Sequence, residues 1–214
     1  MTTAILVDGA YFIKRFRQIE PDNAYNAERA ADLVHRWATA HLIPKMHSAT
    51  NPNGVIPKPA RRELYRIFFY DCPPLNNKQH NPISHQLVDF SKSKEAIFRT
   101  ELHAYLLSKR KLALRLGHLS KDVKWTIKPN KIAMLLKGQI QATDLTADDV
   151  RIDIKQKGVD MRIGVDVAAL SFKKQVDQIV LIAGDADFVP AAKLARREGM
   201  TLSLTRCGKA SLKA

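Results

Sequence analysis

Residues 157–190 have the sequence KGVDMRIGVDVAALSFKKQVDQIVLIAGDADFVP, and this stretch decides the fold. The run QIVLIA at 178–183 is short, apolar and rich in β-branched residues, as in a central parallel strand covered on both faces. Gly184 ends this strand, and Pro190 suits the first turn of the next helix, where a missing N–H costs little. Gly199 is well placed to end that helix. The stretch therefore predicts a helix, a buried strand and a second helix.

Strands and helices alternate through the rest of the chain. Strands are predicted at 3–8, 62–70, 112–117 and 201–205, helices at 9–17, 26–40, 84–110 and 130–142, a loop at 44–60, and either an edge strand or a helix approach at 150–155. This alternation favours a three-layer α/β fold, in which a mainly parallel central sheet is flanked by helices. The 214 residues suit one domain with its own core. We expect a single domain over 1–214, with a basic helical segment at about 84–142 within it.

The charge of the chain points to a polyanionic partner. Lys and Arg number 35 against 21 Asp and Glu, which gives a net charge of +14 and a pI near 9.9. Such a surface attracts nucleic acid, although the excess charge also serves solubility. No apolar run reaches membrane-spanning length, and the N-terminus lacks a basic segment before its apolar stretch. The two cysteines form no CxxC pair, so we expect neither a zinc site nor disulfides, and a cytoplasmic location.

Residues 92–137 carry most of the excess positive charge, with 12 Lys or Arg against 3 acidic residues. Aromatic rings are interleaved with these charges, which suits a groove that follows a nucleic-acid backbone and stacks a base or two. A charged helix face with buried aromatics gives the same pattern. The candidate nucleic-acid contacts are Lys92, Lys94, Arg99, Lys109, Arg110, Arg115, Lys124, Trp125 and Lys128.

Carboxylates recur where strands end. Asp8 closes the first predicted strand, and Asp185 and Asp187 follow the buried one. Ligands of open α/β sheets bind outside the carboxyl ends of the strands. Asp8 and Asp160 have an alternative role, because an aspartate at either position could simply cap a helix. For Asp71, at the end of the second strand, we expect a role in a turn.

The helix that begins near Asp160 is apolar on two sides. Met161, Val165, Ala168 and Phe172 share one face, and Ile163, Val167 and Leu170 share roughly the opposite one. We therefore expect it to pack on both sides. Asp166 falls on the flank between the two faces, where a carboxylate must be hydrogen-bonded, paired with a cation or open to a cleft.

A divalent cation explains several aspartates in so basic a chain. Mg²⁺ prefers oxygen ligands and keeps several waters, and aspartates from separate elements could supply the oxygens. Such an ion activates water and offsets the charge that develops during phosphodiester hydrolysis. Without it, the carboxylates would repel both the phosphate and one another.

Five motifs together resemble one known family over nearly the whole chain. They are LVDGAYFIKR at 6–15, FFYDCPP at 68–74, LRLGHL at 114–119, KQKGVDMRIGVDVAAL at 155–170 and VLIAGDADFVPAAKLARREGM at 180–200. In order and spacing they resemble the NYN domain, specifically its LabA-like bacterial branch. The resemblance implies a PIN-like fold with an acidic, metal-binding pocket and a ribonuclease activity that depends on Mg²⁺ or Mn²⁺.

The family's site residues are carried over by position. Asp8 matches the aspartate of the first strand, Asp160 and Asp166 match the KGVD aspartate and the one that follows, and Asp185 and Asp187 match the pair of the SGDxDF-type loop. The sequence departs from the family pattern twice. Gly9-Ala10-Tyr11 stands where many relatives carry an Asn, and Ala183-Gly184 replaces the Ser-Gly of SGD. Both changes bear on the activity more than on the fold.

Three functions are compatible with these residues. The first is a metal-dependent RNA endonuclease, in which Asp8, Asp166, Asp185 and Asp187 are catalytic and, with Asp160, bind one or two Mg²⁺ or Mn²⁺ ions. Its substrate would be single-stranded RNA, held by its phosphates and attacked by activated water. The second is a weakly catalytic or non-catalytic nucleic-acid-binding regulator with the same fold. The third, a phosphatase or nucleotide-binding enzyme, is disfavoured because the chain has no GxxxxGK[ST] or GxGxxG loop. An exposed edge strand also leaves room for a homodimer.

Overall fold

The structure of the protein is a computed structural model that describes residues 1–43, 60–120, 122–184 and 186–205. Asp185 and nearly all of the predicted 44–60 loop lie outside these residues. The described strands are β1 Thr2–Asp8, β2 Glu63–Asp71, β3 Lys78–His80, β4 Leu87–Asp89, β5 Leu112–Leu116, β6 His118–Leu119, β7 Lys124–Ile127, β8 Val150–Asp153, β9 Gln156–Lys157, β10 Gln178–Ile182 and β11 Thr201–Thr205. The described helices are α1 Gly9–Ile19, α2 Ala27–Ala40, α3 Lys94–Ser108, α4 Pro129–Leu136, α5 Val159–Phe172 and α6 Val189–Arg197.

Five parallel strands form the central sheet in the order β11-β10-β1-β2-β5. Ile5 of β1 lies in register with Ile67 of β2 on one side and Val180 of β10 on the other. The fold is therefore the predicted PIN-like α/β architecture, with a mainly parallel sheet between helices. Within the described residues, no helix combines the length and apolarity that a membrane span requires.

Alternate residues of the strands face two separate cores, because successive side chains of a strand point to opposite faces. Helices α1, α2 and α3 cover one face, through Phe12, Leu33 and Phe98 among others. Helices α5 and α6 cover the other face, where Ile163 and Ala195 are fully buried. The residues of β10 are all buried, which confirms that 178–182 is a central strand.

Local signals for the ends of helices are confirmed in several places. Pro190 occupies the first turn of α6, and Gly199 follows the end of that helix at φ 78°. The Asp8 side chain caps α1 by accepting a hydrogen bond from the Tyr11 backbone N–H at 3.2 Å. Helix α5 begins after Gly158, which adopts φ 79° and has no side chain to cap the helix.

The predicted long helix over 84–110 is wrong in its first ten residues. Strands β3 and β4 pair there as an antiparallel hairpin, and α3 begins only at Lys94. The Asn81 side chain accepts hydrogen bonds from the backbone N–H groups of Ile83 and Ser84, and His85 adopts φ 56°. This turn chemistry stops a helix from forming, and Ser93 then caps α3.

The segment between β5 and α5 also differs from the prediction. Residues 124–127, predicted to be part of the basic segment, form strand β7, which pairs with β8 in antiparallel register. That pairing settles the ambiguous residues 150–155 as a strand over 150–153. Helix α4 ends at Leu136 rather than at 142.

The prediction that α5 packs on two sides is wrong. Ile163 and Val167 are completely buried against the sheet, but Met161, Val165 and Phe172 are 75%, 59% and 60% exposed. One apolar face is enough to hold the helix on the sheet, and nothing in the described residues covers the second face.

Asp71 anchors α3 to the carboxyl end of β2 rather than forming a turn. Its carboxylate is fully buried, pairs with the Arg99 guanidinium and lies within hydrogen-bonding distance of His103 Nε2, at 2.9 Å. Arg99 also bonds Glu95 at 2.7 Å. Asp71 is thus satisfied by the Arg99 guanidinium and the His103 ring of α3, as a buried carboxylate must be.

We expect Arg99→Met to lower the free energy of unfolding by about 3 kcal/mol, because it leaves a buried charge without its main partner. The measurement is urea unfolding at neutral pH. Arg110→Met is the control, since Arg110 is exposed and its loss should change stability by less than about 0.5 kcal/mol. Equal stability of the two variants would contradict this role for Asp71 and Arg99.

Candidate active site at the carboxyl edge of the sheet

The order of the strands creates a crevice between β1 and β10. From β1 the chain proceeds to β2 and β5 on one side, whereas β10 and β11 lie on the other. At such a switch point the connections leave the carboxyl edge in opposite directions, and ligands of open α/β sheets bind in the gap. Asp8 is the last residue of β1, and Asp187 lies in the turn that follows β10.

Two close approaches shape this crevice, and each requires a glycine. A Cβ atom on Gly9 would lie 2.5 Å from the backbone oxygen of Tyr70. A Cβ atom on Gly184 would collide with the ring of Tyr11, which covers the end of β10. Tyr11 also donates its backbone N–H to Asp8. The Gly9-Ala10-Tyr11 sequence therefore brings an aromatic ring into the crevice.

Asp8 carries the perturbed charge of the site. Burial raises its pKa from 3.8 to about 6, and the negative charges of Asp160 and Asp71 act in the same direction. The backbone N–H groups of Tyr11 and Ala10 oppose this shift without cancelling it. Asp8 and Asp160 are therefore close enough for their charges to interact, and the surroundings of Asp8 favour added positive charge.

Asp166 lies in a different electrostatic environment. Its Oδ2 atom accepts a hydrogen bond from the Tyr70 hydroxyl at 2.8 Å and lies 3.3 Å from Nε of Arg115. Burial, followed by the charge of Asp166, raises the pKa of Tyr70, so the phenol keeps its proton and remains a donor. Arg115 is also stacked over Phe68, with 5.3 Å between the guanidinium carbon and the ring centroid. Asp166 is thus already balanced by an arginine.

The structure brings together some of the predicted aspartates. Asp8 and Asp160 interact through their charges, and Asp166 is held by Tyr70, the register partner of Asp8 on β2. Asp187 is exposed in the turn after β10, and Asp185 lies outside the described residues. Among the residues that the structure describes, no three His, Cys, Asp or Glu side chains are grouped closely enough to hold a metal ion.

A magnesium-type ion nevertheless fits the Asp8 end of the crevice. Mg²⁺ is commonly held by one or two carboxylates and several waters, so a closed set of protein ligands is not required. Asp8 and Asp160 would hold it. A cation there would offset both the burial of Asp8 and the repulsion from its neighbours.

The topology divides the predicted nucleic-acid contacts between two edges of the sheet. Helix α3 begins near the carboxyl edge, where Asp71 contacts it, and ends just before β5 starts at the amino edge. Lys109 and Arg110 therefore lie at the amino edge. The five residues of β5 separate this edge from the carboxyl edge, so the crevice is ~15 Å or more away. Lys109 is moreover paired with Asp32. These two residues do not share a surface with the aspartates.

The remaining basic residues lie on the carboxyl-edge side, and all of them except Arg99 are exposed. The exposed group, which we call the carboxyl-edge basic group, consists of Lys92, Lys94, Arg115, Lys124 and Lys128. The side chain of Arg99 is only 13% exposed and is bound to Asp71 and Glu95, a position that does not suit RNA contact. Trp125 is half-buried against Phe90, with 6.0 Å between ring centroids, so only part of its ring is available for stacking.

Sequence reasoning missed Tyr70 and the pairing of Asp166 with Arg115. Tyr70 shares a strand face with Phe68, so the alternation of the strand placed it under α5. The alternation of side chains along β2 could therefore have predicted that Tyr70 faces α5. The local sequence could not predict that Arg115 pairs with Asp166. Their elements, β5 and α5, are more than 40 residues apart in the chain and are brought together only by the folding of the sheet.

The fold and the crevice agree with a comparison against known protein families. The NYN domain family matches residues 2–213, nearly the full chain. The chain therefore belongs to the NYN domain family, whose members have the nuclease-like fold of the PIN superfamily. No curated protein and no solved structure matches the chain significantly.

We expect Asp8→Asn to raise the free energy of unfolding by about 1–2 kcal/mol at pH 7.5, because it removes a desolvated charge and keeps the N-cap. Because the pKa of Asp8 is raised on folding, its charge destabilises the folded state above about pH 6. This destabilisation disappears below pH 3.8, the pKa of the unfolded chain, where Asp8 is protonated in both states. The gain should therefore shrink as the pH falls from 6 towards 4.

Urea unfolding of both proteins at pH 7.5 and pH 4.5 measures this difference. Glu63→Gln is the control, because Glu63 is exposed at the start of β2 on the opposite edge of the sheet. A variant that is less stable than the native protein at pH 7.5 would show that Asp8 acts mainly as a helix cap.

Proposed function

We propose that the protein is a metal-dependent endoribonuclease whose active site is the crevice between β1 and β10. The observation that carries this proposal is the partly buried Asp8, whose pKa is raised to about 6 beside Asp160 at the switch point of the sheet. Perturbed carboxylates in a cleft are candidates for functional groups. Membership of a nuclease-like family and the net charge of +14 support a nucleic-acid substrate.

Asp8 and Asp160 would hold Mg²⁺ or Mn²⁺, with Asp185 and Asp187 as further ligands from the segment after β10. The ion would make water a stronger nucleophile and offset the charge that develops on the phosphate. Asp8 is oriented for this role by the Tyr11 backbone N–H. Asp166, balanced by Arg115, would orient that arginine towards the substrate rather than bind the metal directly.

The carboxyl-edge basic group would guide single-stranded RNA to the crevice. Its members are exposed and lie on the same side of the sheet as Asp8. Contacts of this kind bind phosphates and fix the position of the strand without selecting its sequence. The proposal further includes membership of the LabA-like branch, one domain over 1–214, a cytoplasmic location and room for a homodimer.

A nucleic-acid-binding regulator with little catalytic activity is the second candidate. Two observations favour it: Asp166 is already neutralised by Arg115, and the described residues contain no group of three metal-ligating side chains. Such a protein would use the same basic surface. Cleavage and metal binding separate the two functions.

We expect the protein to cleave single-stranded RNA in Mn²⁺ or Mg²⁺, and Asp8→Asn or Asp160→Asn to lower the rate at least about 100-fold, since metal-ion catalysis supplies several kcal/mol. Glu63→Gln should cleave normally. Mn²⁺ should also raise the Tm of the native protein but not that of Asp8→Asn. Cleavage that persists in EDTA, or that survives Asp8→Asn, would exclude this active site. RNA binding without cleavage would establish the regulator.

The division of the basic residues gives a separate prediction for binding. Lys124→Gln with Lys128→Gln should weaken RNA binding and reduce the slope of log K against log[salt] by about 0.7 for each lost phosphate contact. Arg110→Gln with Arg197→Gln is the control, because both arginines are exposed and lie at the amino edge. Fluorescence anisotropy in EDTA measures both pairs. Equal loss in the two double variants would mean that binding follows net charge alone.

A further inference from the structure

A cavity of about 370 Å³ opens beside the crevice, between α5 and the end of the β5–β6 segment. Its lining includes Arg115, His118, Met161, Arg162, Val165 and Asp166. The volume lies near the lower end of the roughly 300–1,000 Å³ that is usual for small-molecule sites. The cavity therefore suits one compact ligand rather than a length of helix or duplex.

One side of the cavity is cationic and prepared for an anion. Arg115 is held by the Phe68 ring and by Asp166, whose Oδ2 atom lies 3.3 Å from the Arg115 Nε atom. Within the described residues, no acceptor bonds the terminal nitrogens of Arg115, the Arg162 guanidinium or the His118 ring. These N–H groups can converge on a phosphate, for which guanidinium groups are well suited.

The other side of the cavity is apolar. Met161 and Val165 lie one turn apart on α5, and both are more than half exposed. Within the described residues neither contributes to the two hydrophobic cores, so their exposure is not a consequence of imperfect core packing. A thioether and a branched side chain beside a cationic group form a surface on which an aromatic ring can lie.

We propose that this cavity binds one nucleotide unit of RNA. The phosphate would lie against Arg115, Arg162 and His118, and the base against Met161 and Val165. An anion alone would have no use for the apolar wall, and an apolar ligand would leave the guanidinium groups without acceptors. A nucleoside monophosphate satisfies both sides within the volume. The inference rests on the proposed nuclease function, because it makes the cavity the subsite next to the crevice.

Binding of free nucleotides in EDTA tests the cavity separately from cleavage. The probes are the four ribonucleoside 5′-monophosphates, the four nucleosides and inorganic phosphate, titrated into the full chain by calorimetry. We expect at least one monophosphate to bind at least about tenfold more tightly than both its nucleoside and inorganic phosphate. We also expect Arg162→Met to weaken it by at least about tenfold, the loss of one charge-assisted pair.

Two further variants make the result specific. Met161→Ala should weaken monophosphate binding by about 2- to 10-fold and leave inorganic phosphate unchanged, because only the base lies against the thioether. Arg197→Met is the control for net charge, since Arg197 is exposed at the end of α6. Unchanged far-UV circular dichroism would confirm that the variants fold.

The outcomes separate this proposal from the proposed function. Equal monophosphate binding by the native protein and Arg162→Met, or inorganic phosphate binding as tightly as any monophosphate, would overturn the nucleotide site even if RNA is cleaved. Monophosphate binding that depends on Arg162 and Met161 would support the site even if no RNA is cleaved. In that second case the nuclease function would be rejected and the nucleotide site would stand.

Discussion

The position of β1 is the constraint on which the rest of this structure depends. It is the middle strand of the sheet, with parallel partners on both sides, and residues 4–7 are buried on both faces. Its end therefore cannot shift without disturbing both cores. The last residue is Asp8, so a carboxylate is held at the point where the connections of the sheet diverge. Burial at this position, followed by the charges of Asp160 and Asp71, raises the pKa of this group.

The strands of the central sheet and most of its flanking helices could be predicted from the sequence, whereas the hairpins between them could not. A continuous apolar run such as 178–182 predicts that both faces of the strand are buried. The 78–89 hairpin was missed because its pairing depends on the Asn81 turn and on His85 at positive φ, which periodicity does not record. The second apolar stripe of α5 has helical spacing whether or not anything covers it, so spacing could not distinguish packing from exposure.

The charged residues of the candidate site could likewise be predicted only in part. The sequence identified the aspartates, because each follows a strand, begins a helix or, for Asp166, lies on the flank of one, but it could not assign their partners. Asp71 and Asp166 both turned out to be paired with arginines, from α3 and β5 respectively. The basic segment was likewise predicted from a local count of charges. A helix that crosses the sheet from edge to edge separates such charges, which is why Lys109 and Arg110 lie far from the crevice.

These pairings distinguish the roles of aspartates that look equivalent in the sequence. Asp166 has a phenol donor and a guanidinium within hydrogen-bonding range, so an added cation there would compete with Arg115. Burial and neighbouring carboxylates make Asp8 harder to ionise, so an added cation there would relieve an existing cost. In the proposed active site a metal ion would therefore bind at Asp8 rather than at Asp166. Asp166 is then better placed to hold Arg115 at the boundary between the crevice and the cavity beside α5. A phosphate bound at that boundary could contact both the crevice and the cavity.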